Sequence, residues 1–331
     1  MSDPEKPKLL IYIDAYTRLR DQLDPYVTSL VVHPDASVHC DGKPLESDLV
    51  LPHIAWANRD MYALGPVREF MIMCLKSRCL NWLQSSAAGF EHPVFAKIAN
   101  NGVRLTNSNA SAVPIAEFVL AQVMSVFHPS TERLLAQQQH RWDMLEFRDL
   151  HASTWLVYGV GNIGVEVATR ARAFGARVIG CRRTPRGDEP VDEMIASSAL
   201  MEHVGRADVV VLTAALNADN RHVVNAELVA AMKAKSVLVN VGRGGLVDEQ
   251  ALLYGLERGT PDIAILDVFE QEPLPEDSPF WAHPRVRLTA HCAGASPGTG
   301  ARGDAIFLAN LRRYLSAEPL MMEVKQLETA S

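Results

Sequence analysis

A run of ten residues, Trp155 to Gly164 (W-L-V-Y-G-V-G-N-I-G), restricts this chain more than any other stretch. A short apolar segment with strand character enters three glycines, Gly159, Gly161 and Gly164, and a helix-compatible segment, Val165 to Phe174, leaves them. The first glycine of such a turn allows the tight bend, the second lets a diphosphate approach the backbone, and the third lets helix and strand pack closely. Asn162 and Ile163 fill the turn, and the unpaired N–H groups of the first helical turn face the phosphates. Gly175 then breaks the chain before a second strand, Arg177 to Gly180, which completes a β-α-β unit. A G-x-G-x-x-G pattern alone is often an ordinary glycine turn; the flanking strand and helix make a dinucleotide site the stronger reading here.

A length of 331 residues exceeds one ordinary core and suits two domains of about 100 to 200 residues each. With 48% apolar residues, 21% charged residues and a net charge of −7, the composition is that of a globular chain, and nucleic acid is not an expected partner. The N-terminus is polar, and no apolar run approaches the ~18 residues of a membrane span. A cytoplasmic protein without a membrane partner is therefore expected. The five cysteines, Cys40, Cys74, Cys79, Cys181 and Cys292, contain no C-x-x-C pair, which predicts reduced thiols and no metal site.

Before the glycine turn, β-like runs recur at Leu9 to Ile13, Leu30 to His33, Asp48 to Leu51, Leu80 to Gln84 and Val103 to Leu105. Their spacing predicts a small parallel α/β domain. A long apolar helix is expected from Ser111 to Phe127, buried on more than one side, with Pro129 ending it and a polar stretch leading through Trp142. From Trp155 onward six strands are predicted: Trp155 to Gly159, Arg177 to Cys181, Asp208 to Thr213, Ser236 to Val241, Asp262 to Asp267 and Val286 to Ala290. Helices are expected between them, including one over Val191 to Val204. Six strands joined this way form a doubly wound sheet whose ligands bind beyond the carboxyl ends of the strands. Gly159, Arg182, Arg183, Arg243, Asp267 and His291 fall there. An amphipathic helix, Ala301 to Leu315, follows the last strand and is expected to return to the first domain. The fold class is thus α/β, with two Rossmann-like or flavodoxin-like domains and parallel sheets. A dinucleotide-binding domain, 107–292, is inserted into a discontinuous domain formed by 1–106 and 293–331.

Sites for NAD normally place an acidic residue at the end of the second strand to bind the ribose 2′-OH. Between Glu166 and Asp188 this chain has none, and the strand end carries Arg182, Arg183 and Arg186. Guanidinium groups suit a 2′-phosphate, so NADP(H) is favoured and NAD(H) remains possible. A solvated arginine loop is the plainer alternative.

Three segments resemble the signatures of the D-isomer-specific 2-hydroxyacid dehydrogenases: Asn240 to Glu249 (N-V-G-R-G-G-L-V-D-E), Leu266 to Leu274 (L-D-V-F-E-Q-E-P-L) and Leu288 to Gly294 (L-T-A-H-C-A-G). With the glycine turn they make four signatures in order. The resemblance runs from about Leu80 to the C-terminus, through Leu83 to Gly89 and Ile115 to Glu117, and more loosely over the residues before.

The resemblance implies a hydride transfer between a nicotinamide and a small 2-oxo or 2-hydroxy acid. Reducing a 2-oxo carbon creates an alkoxide, so an acid must supply a proton. His291 takes that place by resemblance, with an ordinary histidine titrating near working pH, and Glu272 is the carboxylate paired with it. Glu270 is the neighbouring competitor, but the E-P frame favours Glu272. Arg243 matches the residue that holds the substrate carboxylate, a planar fork suited to adjacent oxygens. Asp267 resembles the residue near the nicotinamide carboxamide, and Ala88 and Gly89 lie in the loop whose N–H groups receive the substrate carboxylate. A homodimer is also implied, and Trp142 is expected beneath the domain junction or, less directly, in a neighbouring subunit's pocket. Ala152, Ala215 and Asn220 depart from the family pattern, which often has Gly, Pro and Thr at these positions. Glyoxylate or hydroxypyruvate reduction is the favoured activity; a nicotinamide-sensing regulator or a phosphoglycerate, formate or phosphite dehydrogenase are the rivals.

Overall fold

A computed structural model describes residues 6–87, 89–90 and 92–324. The chain forms two compact units, Met1–Ser111 with Ser296–Ser331, and Ala112–Ala295.

The first unit is built on seven strands: β1 (Lys8–Tyr12), β2 (Thr28–Val32), β3 (Val38–Cys40), β4 (Lys43–Pro44), β5 (Ile54–Ala57), β6 (Trp82–Ser85) and β7 (Arg104–Thr106). Their order is β4-β3-β2-β1-β5-β6-β7. β2-β1-β5-β6-β7 are parallel in the flavodoxin-like arrangement, and β3 and β4 close one edge antiparallel. The strand expected at Asp48 to Leu51 is instead a short 3-10 turn, Ser47–Leu49, and β5 follows it. Pro52 explains the shift: with no N–H to donate, it ends the apolar run, and pairing starts only after it. All four residues of β5 are buried, so its I-A-W-A sequence shows none of the alternation that marks a half-exposed strand.

Helix Pro297–Leu315 packs on this sheet: the ring of Phe307 stacks on Trp56 with centroids 4.2 Å apart and on Trp82 at 5.5 Å. All three side chains are buried. Such aromatic contacts contribute about 0.5–1.5 kcal/mol each beyond their area. Asn310 of the same helix donates to Gln84 Oε1 at 2.9 Å and accepts the Met321 N–H at 2.8 Å, so its buried amide is satisfied.

The second unit has seven parallel strands: β8 (Thr154–Tyr158), β9 (Arg177–Arg182), β10 (Glu193–Ala196), β11 (Val209–Leu212), β12 (Val237–Asn240), β13 (Ile263–Leu266) and β14 (Val286–Leu288). The order β10-β9-β8-β11-β12-β13-β14 begins with the doubly wound dinucleotide-binding arrangement, reversing direction between β8 and β11. All six strands expected here are present. The seventh, β10, lies where a helix was expected over Val191 to Val204; only Leu200–Val204 is α-helical. β10 pairs with β9 from Glu193 to Ala196, and this tertiary hydrogen bonding overrides the weak local preference of a four-residue segment.

Helix Ala112–Phe127 buries Ala116, Val119, Leu120, Val123 and Phe127 in the core of its own unit. Ile115, Phe118, Met124 and Val126 are only partly buried. The stretch after Pro129, expected to be a polar connection, is a second helix, Ser130–Gln138. Trp142 is fully exposed, as is Met144, and this corrects the expectation that Trp142 is buried. Neither local polarity nor periodicity marks a tryptophan that projects from an irregular segment.

Candidate active site

The glycine turn follows β8 directly. Gly159 has φ +100°, and a Cβ there would lie 2.5 Å from the Ala214 nitrogen, so any side chain is excluded by both backbone conformation and space. Ala214 follows β11, which places the bend at the point where the strand order reverses. Thr213 Oγ1 donates to Gly159 O at 2.6 Å and fixes the carbonyl. A Cβ on Gly164 would lie 2.3 Å from that same carbonyl, so the third glycine permits the close approach of helix to turn. At Gly161 a Cβ would meet nothing within 4 Å, and Gly161 and Asn162 are exposed. Helix Asn162–Ala173 starts with no side-chain cap. Asn162 and Ile163 therefore begin a helix whose first N–H groups no capping side chain takes up, beside an open glycine face. This combination fits a diphosphate.

The arginines after β9 have a partner that the sequence did not reveal. The chain doubles back so that Glu189 Oε1 lies 2.8 Å from Arg182 Nη1, with the Glu189 side chain only 4% exposed. Burial raises the Glu189 carboxyl, but the N–H groups of Arg186 and Gly187 and the Arg182 guanidinium more than offset this and hold it at about 2. Arg182 is thus engaged within its own loop. The Arg183 side chain is 65% exposed, 3.9 Å from Asp219. The acidic residue lies beyond the window in which a ribose partner is normally sought, so spacing alone missed it.

Beyond β12, Asn240 shapes the loop that carries Arg243: its Nδ2 donates to Arg243 O at 2.9 Å, and its Oδ1 accepts the Gly242 N–H at 3.1 Å. Gly244 packs so tightly that a Cβ would fall 1.9 Å from the Phe269 carbonyl carbon. The Arg243 loop is therefore pressed against the segment that carries Glu272. In that segment Glu272 Oε1 accepts the Phe269 N–H at 3.0 Å, while Oε2 lies 2.7 Å from His291 Nδ1. Glu270, the competing carboxylate, pairs with His222 instead.

Asp267 is 3% exposed. Its Oδ1 accepts Thr289 Oγ1 at 2.6 Å, the Cys292 N–H at 2.8 Å and the Ala293 N–H at 3.1 Å, and its backbone oxygen accepts the His291 N–H at 2.8 Å. His291 itself has φ +50°, the left-handed region, which a non-glycine residue adopts only when its surroundings hold it there. Asp267 provides that hold. Spacing along the chain carries no sign of it, because a carboxylate gathering N–H groups from a later loop is a tertiary fact. A cavity of about 430 Å³ opens beside the pair, walled by Phe269, Leu274, Trp281 and Leu288.

The substrate-loop residues lie in the first unit. Ala88 falls outside the described residues; Gly89 follows β6. Ser85, the last residue of β6, accepts the Ala87 N–H at 3.0 Å and shares a hydrogen bond with the Tyr62 hydroxyl at 2.8 Å. The structure thus brings Glu272, His291 and Asp267 together and presses the Arg243 loop against the same segment. Gly89 belongs to the first unit, beyond the carboxyl end of β6. Among the described residues no group of three or more His, Cys, Asp or Glu could hold a metal ion, and no single helix is long and apolar enough to cross a membrane.

A reversed strand order with a glycine turn at the reversal defines the doubly wound dinucleotide-binding class. Within that class, this chain belongs to the D-isomer specific 2-hydroxyacid dehydrogenases, NAD(P)-dependent oxidoreductases: the model of that family's NAD binding domain matches residues 120–293. The D-3-phosphoglycerate dehydrogenase of Methanocaldococcus jannaschii is 28% identical over 253 residues, 73% of this chain, which spans 47% of that protein's length. Two solved structures superpose over nearly the whole chain. A D-isomer specific 2-hydroxyacid dehydrogenase family protein from Aeromonas salmonicida has a TM-score of 0.80 at 26% identity, covering 97% of this chain and 99% of that one. The NADPH-dependent glyoxylate/hydroxypyruvate reductase of Sinorhizobium meliloti, solved with NADP and sulfate, has a TM-score of 0.76 at 25% identity, covering 98% and 99%.

Proposed function

We propose that this protein is an NADPH-dependent, D-specific reductase of small 2-oxo acids of the glyoxylate or hydroxypyruvate type, with NADH as a poorer alternative. The observation that carries the reading is the 2.7 Å pairing of His291 Nδ1 with Glu272 Oε2. With Nδ1–H donating to the carboxylate, Nε2 is the nitrogen that gives a proton to the substrate oxygen in reduction and takes it back in oxidation. Glu272 fixes the orientation and tautomer of the ring, and Asp267 holds the loop on which His291 sits. The Arg243 guanidinium binds the substrate carboxylate and polarises the keto oxygen, with the N–H groups of Ala88 and Gly89 as further donors. The nicotinamide, when bound, supplies the hydride. Gly159, Gly161, Asn162, Ile163 and Gly164 cradle its diphosphate, and Asp267 also borders its carboxamide.

A 2′-phosphate is assigned to the end of β9, chiefly to Arg183, since Arg182 is tied to Glu189. In this reading 107–292 is the dinucleotide-binding domain, and 1–106 with 293–331 forms the substrate-binding domain. The protein acts in the cytoplasm, where its five free cysteines stay reduced. It assembles as a homodimer, with the exposed Trp142 and Met144 at the interface.

Absorbance at the nicotinamide band with glyoxylate, hydroxypyruvate, phosphohydroxypyruvate and longer 2-oxo acids, each with NADPH and NADH, tests the activity. Turnover of glyoxylate or hydroxypyruvate with NADPH is expected. Turnover of phosphohydroxypyruvate alone would favour a phosphoglycerate-type enzyme, and tight cofactor binding without turnover of any acid would favour a sensor. Light scattering of the wild type and of a Trp142→Ser, Met144→Ser double variant tests the dimer.

A further inference from the structure

The first unit holds a half-open cavity of about 400 Å³ that the proposed reaction does not use, within the roughly 300–1,000 Å³ of ordinary small-molecule pockets. It lies along β2 and β3. Register pairs Val31 with His39 across the antiparallel edge, so Ser29, Val31 and His39 share one sheet face. Ile13 and Tyr16 of helix Ile13–Leu23 also line it.

Its chemistry is specific in three respects. The floor is closed at Ser29, which is 9% exposed and whose hydroxyl is inaccessible from the cavity. Two carboxylates, Asp24 and Asp41, and one ammonium, Lys6, line the same cavity. Tyr16 donates to Asp24 Oδ2 at 3.2 Å; burial raises its pKa, and the fields of Asp24 and Asp41 add to this, so the phenol keeps its proton. Asp41 has no hydrogen-bond or ion-pair partner among the described residues. Between the charges lies an apolar strip, Ile13, Val27 and Val31. The rings of His33 and His39 stand 4.3 Å apart at the same cavity and offer further nitrogen donors and acceptors.

Two carboxylates argue against a simple anion, the single lysine against a simple cation, and so many polar side chains against a purely apolar guest. We propose that this cavity is a binding site for a small zwitterion, an α-amino acid with an apolar side chain. Asp41 and Asp24 receive its ammonium group, Lys6, whose Nζ also donates to Asp24 O at 2.7 Å, its carboxylate, and the Ile13, Val27 and Val31 strip its side chain. Every residue of this site belongs to the first unit, whereas Glu272 and His291 belong to the second.

Calorimetric titration of the full chain with L-valine and L-leucine tests this, with isobutylamine and isobutyrate as probes that keep one charge only. Both amino acids are expected to bind, and each single-charge probe at least about tenfold more weakly, since a charge-assisted hydrogen bond contributes about 1.5–3 kcal/mol. Asp41→Asn and Lys6→Gln should each weaken L-valine binding, by about tenfold or more for Asp41→Asn, while Asp21→Asn, whose side chain is 93% exposed outside the cavity, leaves it unchanged. No heat from either amino acid, equal binding of isobutylamine, or unaltered binding in Asp41→Asn would overturn the proposal. Asp41 and Lys6 are both exposed residues, so their variants keep the fold and stay informative. The readout is heat of binding, so it is independent of whether any 2-oxo acid is reduced.

Discussion

Glu272 divides its carboxylate between two tasks: Oε1 holds the Phe269 N–H at 3.0 Å, and Oε2 meets His291 Nδ1 at 2.7 Å. One side chain therefore stiffens its own loop and orients the imidazole. Replacing His291 with Ala should lower kcat by the roughly 10²–10⁴-fold that a positioned general acid contributes, with NADPH affinity unchanged. Glu272→Gln should lose part of that factor. Steady-state rates with cofactor affinity measured by fluorescence titration check both, and unchanged turnover in His291→Ala would remove its role.

Asp267 separates two roles that the sequence could not. Asp267→Ala removes the acceptor of the Cys292 and Ala293 N–H groups, which leaves the buried Ala293 N–H unpaired at a cost of about 1–3 kcal/mol, and releases His291 from its left-handed conformation. Loss of kcat together with a lower melting temperature, at constant NADPH affinity, is expected if positioning is the main role. A fall in cofactor affinity alone would make Asp267 a cofactor ligand and nothing more.

Arg183→Ala should raise the Michaelis constant for NADPH by about 10- to 100-fold, the worth of a charged hydrogen bond, while leaving NADH nearly unaffected. Arg182→Ala should act in the same direction but less strongly, because Glu189 already holds that guanidinium. Equal effects on the two cofactors would dispose of the 2′-phosphate assignment.

Acid should loosen the edge formed by β9 and β10. Glu189 is held at about 2 by the backbone and side-chain donors that outweigh its burial, and Glu193 is held at about 2 chiefly by Arg206, against an ordinary value of 4.5 for each. Carboxyls depressed on folding stabilise the native state fully above their ordinary value, and that stabilisation is lost as pH falls through the folded one. Stability should therefore decline between pH 4.5 and about 2, and the decline should be shallower in Glu189→Gln. Urea unfolding across that pH range measures the slope; identical slopes would contradict the assignment.

Ala152 has φ +62°, a left-handed conformation that costs a residue with a Cβ roughly 1–2 kcal/mol. Ala152→Gly should therefore stabilise the protein by about 1 kcal/mol after the entropy of the unfolded glycine is counted. Thermal unfolding reads this directly, and a destabilised variant would show that the Ala152 methyl is held by packing.

By itself the sequence determined the dinucleotide turn and the six strands from Thr154 to Leu288. Each of these is written locally, in glycines where no Cβ fits and in buried parallel strands that read as continuous apolar runs, whereas Glu272 as the partner of His291 was implied only by resemblance to the family. Only the tertiary structure decided that β5 starts after Pro52, that β10 is a strand, that Glu189 returns to claim Arg182, that Trp142 is exposed, and that Asp267 holds the His291 loop. These depend on hydrogen bonds and contacts between residues distant in the chain or outside any repeating pattern. Local spacing carries no record of such partners, because only chain folding brings them within reach.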